Sequence, residues 1–203
     1  MNTTIAQDRW EGGVSPFGQS WQKLMMWFFI VGDALLFAGF LASYGFTRLG
    51  AGGDWPHTLG GVFSTGLITT MTFVLISSSA TMACAVAAAK AGDKAAVVKW
   101  TLLTLVGGAL FLGMQAFEWT HFIGGGGRPW GNPWGDRSFG AYFFLITGFH
   151  GTHVLIGLII LLLTALGAKK STAVDPNGVE VAGLYWHFVD LVWVFIFGCF
   201  YLF

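Results

Sequence analysis

Two short blocks place reactive side chains inside otherwise apolar sequence. Thr147-Gly148-Phe149-His150-Gly151-Thr152-His153-Val154 sets two imidazoles three residues apart. Tyr185-Trp186-His187-Phe188-Val189-Asp190-Leu191-Val192-Trp193 sets an imidazole and a carboxyl at the same spacing. Groups three apart on a helix point the same way. Asp33 lies in a further apolar run, and Gln115, Glu118 and His121 form a second polar stripe in steps of three. Such groups suit haem or metal ligation, proton movement, or polar bonding between helices. A catalytic metal needs about three ligands and an open position. A haem with two axial histidines needs them on opposing walls. His150 and His153 alone satisfy neither, and His187 would have to join them from another segment. Buried acids and imidazoles also build intramembrane proton paths. The simplest role is hydrogen bonding between helices.

The elements that carry these groups are membrane helices. Of 203 residues, 55% are hydrophobic and 10% charged; soluble domains carry roughly 25% charged residues. Five apolar segments, about 24–47, 61–89, 100–123, 139–167 and 182–203, each reach the roughly 20 residues that span a bilayer. The chain is expected to be one all-α integral membrane domain, residues 1–203, with five transmembrane helices in a bundle. Met1–Lys23 is polar, with Asp8, Arg9 and Glu11, and lacks the basic and apolar regions of a cleaved signal. The first helix is therefore expected to be retained.

Lys and Arg positions set the orientation. One side holds Arg9, Lys23, Lys90, Lys94, Lys99, Lys169 and Lys170; the other holds Arg48, Arg128 and Arg137. The positive-inside rule predicts a cytoplasmic N-terminus and a periplasmic C-terminus. Trp21, Trp27, Trp55, Trp100 and Trp119 lie near predicted helix ends, where interfacial indoles are favoured.

Several function classes are excluded or disfavoured. Zero net charge and no basic run give no nucleic-acid surface. Cys84 and Cys199 stand alone, without CxxC spacing, and read as packed thiols. No internal repeat suggests an inverted-repeat transporter. The loop from Gly124 to Asp136 is rich in Gly and Pro but lacks the Lys-Ser/Thr pair of a phosphate loop. It is expected at the surface. Ser79, Ala83 and Ala87, four apart, predict close helix packing. No base neighbours the run Ser77–Ser79 in sequence, so a serine nucleophile is unsupported.

A rise of about 1.5 Å per residue gives rough depths. Asp33 falls about 14 Å from the inner end of its helix, and His150 and His153 about 17 and 21 Å from the outer end of theirs. His187 and Asp190 lie in the inner half. An isolated carboxylate in hydrocarbon needs a partner or a proton. Asp33, His153, His187 and Asp190 are therefore expected to satisfy one another.

These residues also carry a family resemblance. Glu180 to Trp193, with Tyr185-Trp186-His187-Phe188-Val189-Asp190 at its centre, resembles the last helix of subunit III of haem-copper cytochrome c oxidases. Thr147 to Val154 with Gly157, the run Ser77-Ser78-Ser79-Ala80-Thr81, and Gln115-Ala116-Phe117-Glu118-Trp119 resemble three further helices of that family. The chain looks like the five-helix form, lacking the first two helices of longer members. Where many members carry a glutamate, this chain has Asp33, one methylene shorter.

The resemblance implies an accessory subunit of a bacterial plasma-membrane oxidase, with no catalytic residue and no metal of its own. Haem and copper would lie in subunits I and II, with subunit I in direct contact. Cytochrome c or quinol would feed the complex, which reduces oxygen to water and pumps protons. Asp33, His150, His153, Glu180, His187 and Asp190 match family polar positions and become candidates for phospholipid binding or proton uptake. The rivals are an accessory subunit of a quinol oxidase or nitric oxide reductase, and a membrane enzyme with its own haem on these histidines.

Overall fold

The computed structural model describes residues 18–56 and 62–202. Its helices are α1 (Trp21–Ala51), α2 (Thr65–Lys90), α3 (Lys94–Gly124), α4 (Ser138–Lys170) and α5 (Pro176–Ile196). A single 3₁₀ turn follows α1, and the last turn after α5 widens to π spacing over Phe197–Leu202. All five are long and apolar enough to cross a membrane.

Three helices begin at capping side chains outside the apolar runs. The Ser20, Asp93 and Asp175 side chains accept from the backbone N–H groups of Lys23, Ala96 and Asn177, and Pro176 opens α5. These caps explain why α1, α3 and α5 start earlier than expected. Charged residues such as Lys94, Lys99 and Glu180 are helical, and lysine stems carry their charge out to the interface. The expected start of the second helix, Gly61, lies outside the described residues.

α5 is the central helix and packs on α1, α2 and α4, while α3 lies against α2 and α4. Two of its indoles, one heptad apart, fasten it to α2. Trp186 Nε1 donates to Ser78 Oγ and Trp193 Nε1 to Thr72 Oγ1, both at 3.1 Å. The Trp186 ring is fully buried in a notch left by Gly108 of α3 and Gly157 of α4. α2 and α3 approach closely where Gly107 faces Ser78; a Cβ on Gly107 would lie 2.7 Å from Ser78 Cβ. The expected packing stripe is therefore displaced by one position. Ala83 and Ala87 are exposed, and the buried face runs through Ser78, Met82, Ala85 and Ala89. The large side chains Ile68, Met71, Leu75 and Met82 turn that face to the core, because burying them removes the most apolar area.

Among the described residues α1 packs chiefly on α4 and α5 and is fastened at three heights. At its start, Ser20 Oγ donates to Asn177 Oδ1, Asn177 Nδ2 donates to Gln22 Oε1, and Lys23 pairs with Glu180. Midway, Asp33 meets His153. Toward its end, the Tyr142 hydroxyl lies 2.7 Å from Ser43 Oγ and 2.8 Å from Thr47 Oγ1. Its outer face, with Phe28, Leu35, Phe46 and Leu49, is exposed.

Beyond α3 the glycine-rich loop is docked rather than loose. Arg128 and Gly131 exchange backbone hydrogen bonds, Trp134 packs on Phe122, and Asp136 N donates to Asp54 O. Trp55, just beyond the end of α1, is buried against Tyr44 and Phe139.

Candidate functional site

The polar groups of the membrane-spanning region resolve into separate sets, each placed by a different helix contact. The first joins α1 to α4. Asp33 Oδ2 lies 3.4 Å from His153 Nε2, longer than a well-formed hydrogen bond. His153 Nδ1 donates to Phe149 O, one turn back, at 2.9 Å. That bond assigns a hydrogen to Nδ1 and leaves Nε2 as the nitrogen facing the acid. One proton between Oδ2 and Nε2 gives either carboxylate with imidazolium or carboxylic acid with imidazole. Both are neutral overall, which is the form a low-dielectric setting tolerates. Phe29, Phe37 and Phe149 surround the imidazole, and Tyr185 of α5 donates to His153 O at 3.0 Å.

The second set joins α2 to α5. Ser79 Oγ lies 2.6 Å from His187 Nδ1. Asp190 is 8% exposed, and its Oδ1 has no hydrogen-bond partner. Asp33 and His153 thus face each other as expected, whereas His187 turns to a serine on another helix. Depth alone does not bring residues together; rotation about each helix axis also has to agree.

His150 stands apart from both sets. It is fully buried among Phe37, Phe111 and Trp193, and neither ring nitrogen has a hydrogen-bond partner. Glu180 sits at the start of α5, 3.0 Å from Lys23 Nζ and 3.9 Å from Lys90 Nζ.

The α3 stripe divides as well. Gln115 Nε2 donates to Thr147 O at 2.6 Å, and its amide lies against Gly151, where a Cβ would meet Oε1 at 3.0 Å. Glu118 is buried and accepts from the Tyr201 hydroxyl at 3.3 Å. His121 is exposed near the end of α3. Among the described residues, no three His, Cys, Asp or Glu side chains are grouped to hold a metal ion. Cys84 and Cys199 are both exposed rather than packed inside the chain.

Sequence spacing missed the partners: Ser78, Ser79, Thr72, Thr147, Tyr185 and Tyr201. Each lies on a different helix from the group it serves, so no local pattern marks it. The one available signal was the hydroxyl content of Ser77–Thr81 within an apolar run.

The family model that matches residues 3–203 is described as cytochrome c oxidase subunit III. A quinol oxidase subunit 3 from Bacillus spizizenii is 36% identical over 182 residues, covering 88% of this chain and 85% of its own. A cytochrome c oxidase subunit 3 from Alkalihalophilus pseudofirmus is 35% identical over 181 residues, with the same coverage. A probable cytochrome c oxidase subunit 3 from Nocardia farcinica is 34% identical over 171 residues, covering 83% of this chain and 81% of its own. The match along nearly the whole chain, on a frame of five helices able to span a membrane, establishes that this protein belongs to the cytochrome c oxidase subunit III family.

Proposed function

We propose that this chain is the accessory subunit III of a bacterial terminal oxidase. It packs on subunit I, holds phospholipid at its surface and supports proton uptake by the catalytic subunit. Haem and copper belong to subunits I and II. The lysine-rich end, with Lys23, Lys90, Lys94, Lys99, Lys169 and Lys170, faces the cytoplasm, which places the C-terminus in the periplasm.

The observation that carries the reading is the Asp33–His153 pair. It sets an acid 3.4 Å from an imidazole nitrogen among aromatic rings, where an uncompensated charge is costly. Such a pair holds α1 against α4 and exchanges a proton without changing its net charge. Relatives are named for both cytochrome c and quinol, so donor choice is assigned to the partner subunits.

The test is to purify the oxidase with and without this chain. Without it, haem spectra are expected to persist, while proton uptake slows and active lifetime shortens. Loss of the haem signal, or haem retained by the isolated chain in a pyridine haemochrome assay, overturns the accessory role.

A further inference from the structure

The loop between α3 and α4 turns its other indole inward: Trp134 packs on Phe122 and over Gly125. Trp130 does the opposite. It is 79% exposed, against 42% for Trp21 and 50% for Trp27.

The exposed indole is rigidly held. Arg128, Pro129, Trp130 and Gly131 form a four-residue turn, closed by Arg128 N to Gly131 O at 2.8 Å and Gly131 N to Arg128 O at 3.2 Å. Proline in second place and glycine in fourth suit such a turn. The turn folds back along the start of α4. Arg128 O abuts Gly140, where a Cβ has no room, and Gly131 O lies 3.5 Å from the same Cβ position. The rest of the loop is tied down by Asn132 Nδ2 to Asp136 O at 2.6 Å and Asp136 N to Asp54 O at 3.0 Å.

Gly140 therefore gives the height of the turn. α4 has 33 residues, and at a rise of about 1.5 Å each it is about 50 Å long. The hydrocarbon of a bilayer is about 30 Å thick, and about 40–45 Å with the headgroups. Arg137 and Lys169 bound a stretch of α4 without Asp, Glu, Lys or Arg, which centres the helix on the hydrocarbon. Roughly 10 Å then stands outside it at each end. Gly140 follows Ser138, the first residue of α4, by two positions, so it lies about 7 Å beyond the hydrocarbon, in the headgroup layer. A tilt of about 20° shifts this by only about 1 Å. Indoles favour that layer, where the ring meets apolar carbon and the N–H meets lipid oxygens. Arg128, two residues before Trp130, is exposed as well, and a guanidinium is suited to a phosphate.

We propose that the Arg128–Gly131 turn is a bilayer anchor: Trp130 seats in the phospholipid headgroup layer beside the start of α4, and Arg128 binds a lipid phosphate there. The folded-back turn thus fixes how deep the α3–α4 end of the bundle sits. The lysines at the opposite end, Lys169 and Lys170 of α4 among them, hold the other headgroup layer by charge alone. This inference goes beyond the oxidase-subunit reading and needs only that the helices cross a bilayer.

The test places the photoreactive residue p-benzoylphenylalanine at position 130 of the assembled oxidase in phospholipid vesicles, with adducts identified by mass after illumination. The expected result is a mass shift of one phospholipid on the peptide carrying position 130. A cross-link to a peptide of a partner subunit overturns the anchor and makes the turn a protein contact. An unmodified peptide overturns it too, because the side chain then faces water. If the labelled oxidase fails to assemble, parent and Trp130→Phe oxidase are compared in vesicles of phospholipid brominated near the glycerol or near the chain ends. The emission lost in Trp130→Phe is expected to be quenched by the shallow bromines. Quenching by the deep bromines alone, or by neither, overturns the anchor. The two readings separate cleanly. A lipid adduct on a chain that does not co-purify with haem-bearing subunits sinks the accessory role and keeps the anchor, whereas a water-facing Trp130 in an intact oxidase sinks only the anchor.

Discussion

Trp186 of α5 donates its indole N–H to Ser78 of α2 at 3.1 Å, while its ring fills the notch over Gly108 and Gly157. One side chain thus locks α2, α3, α4 and α5 together, and the polar sets depend on that lock for their alignment. Gly157 has room for no methyl group: an added Cβ would sit 2.9 Å from Trp186 Cζ3. Gly157→Ala is expected to cost about 1–3 kcal/mol through overpacking. Thermal unfolding in detergent, followed by tryptophan fluorescence, measures the loss. Gly113, whose added Cβ meets nothing within 4 Å, is the matched control and is expected to tolerate alanine.

Tyr201→Phe removes a hydrogen bond to a buried carboxyl. Glu118 Oε1 already has no hydrogen-bond partner, and the Tyr201 hydroxyl serves Oε2. Taking it away leaves a more exposed desolvation cost, about 1–3 kcal/mol. The expected outcome is a lowered unfolding temperature. The Tyr201→Phe/Glu118→Gln double variant is expected to recover part of the loss, because a buried amide, unlike a carboxyl, cannot be left as an uncompensated charge.

Glu180→Gln is expected to matter little for stability. The Lys23–Glu180–Lys90 contacts are partly exposed, and pairs of that kind contribute under about 1 kcal/mol and weaken with salt. Unfolding curves of parent and variant at low and high ionic strength should converge as salt rises. A large, salt-independent loss would show that the base of α1 depends on this contact more than its exposure implies.

Asp190→Leu replaces a buried carboxyl, whose Oδ1 has no hydrogen-bond partner, with an apolar side chain. Ser79 keeps His187 as a partner, so the α2–α5 contact is expected to survive while association with subunit I weakens. Co-purification of subunit I with the variant reads this. Unchanged recovery and unchanged thermal stability would count against a role for Asp190 in assembly.

The helices were legible because apolar runs longer than a bilayer crossing have few alternatives. Their ends were less so. Lys94, Lys99 and Glu180 look like loop residues until Asp93 and Asp175 are recognised as caps. The Asp33–His153 contact was legible from depth, since both groups needed a partner at one level. The Ser79–His187 bond was not, because neighbours in sequence cannot report which way two distant helices are rotated. The same limit misplaced the α2 packing face by one residue, from Ser79 to Ser78, where Gly107 admits the close approach. It also split the α3 stripe, leaving His121 outside while Gln115 and Glu118 turned inward.

The central claim is that a buried acid–imidazole pair sustains an oxidase whose metals lie elsewhere. Asp33→Ala removes the acid and leaves His153 its Phe149 hydrogen bond. The decisive measurement is steady-state oxygen reduction by the assembled Asp33→Ala oxidase over repeated turnover, with its haem spectrum recorded alongside. Slower turnover or a shortened active lifetime with an unaltered spectrum is the predicted result. Parent-like turnover and lifetime, or a collapsed haem spectrum, would contradict the account.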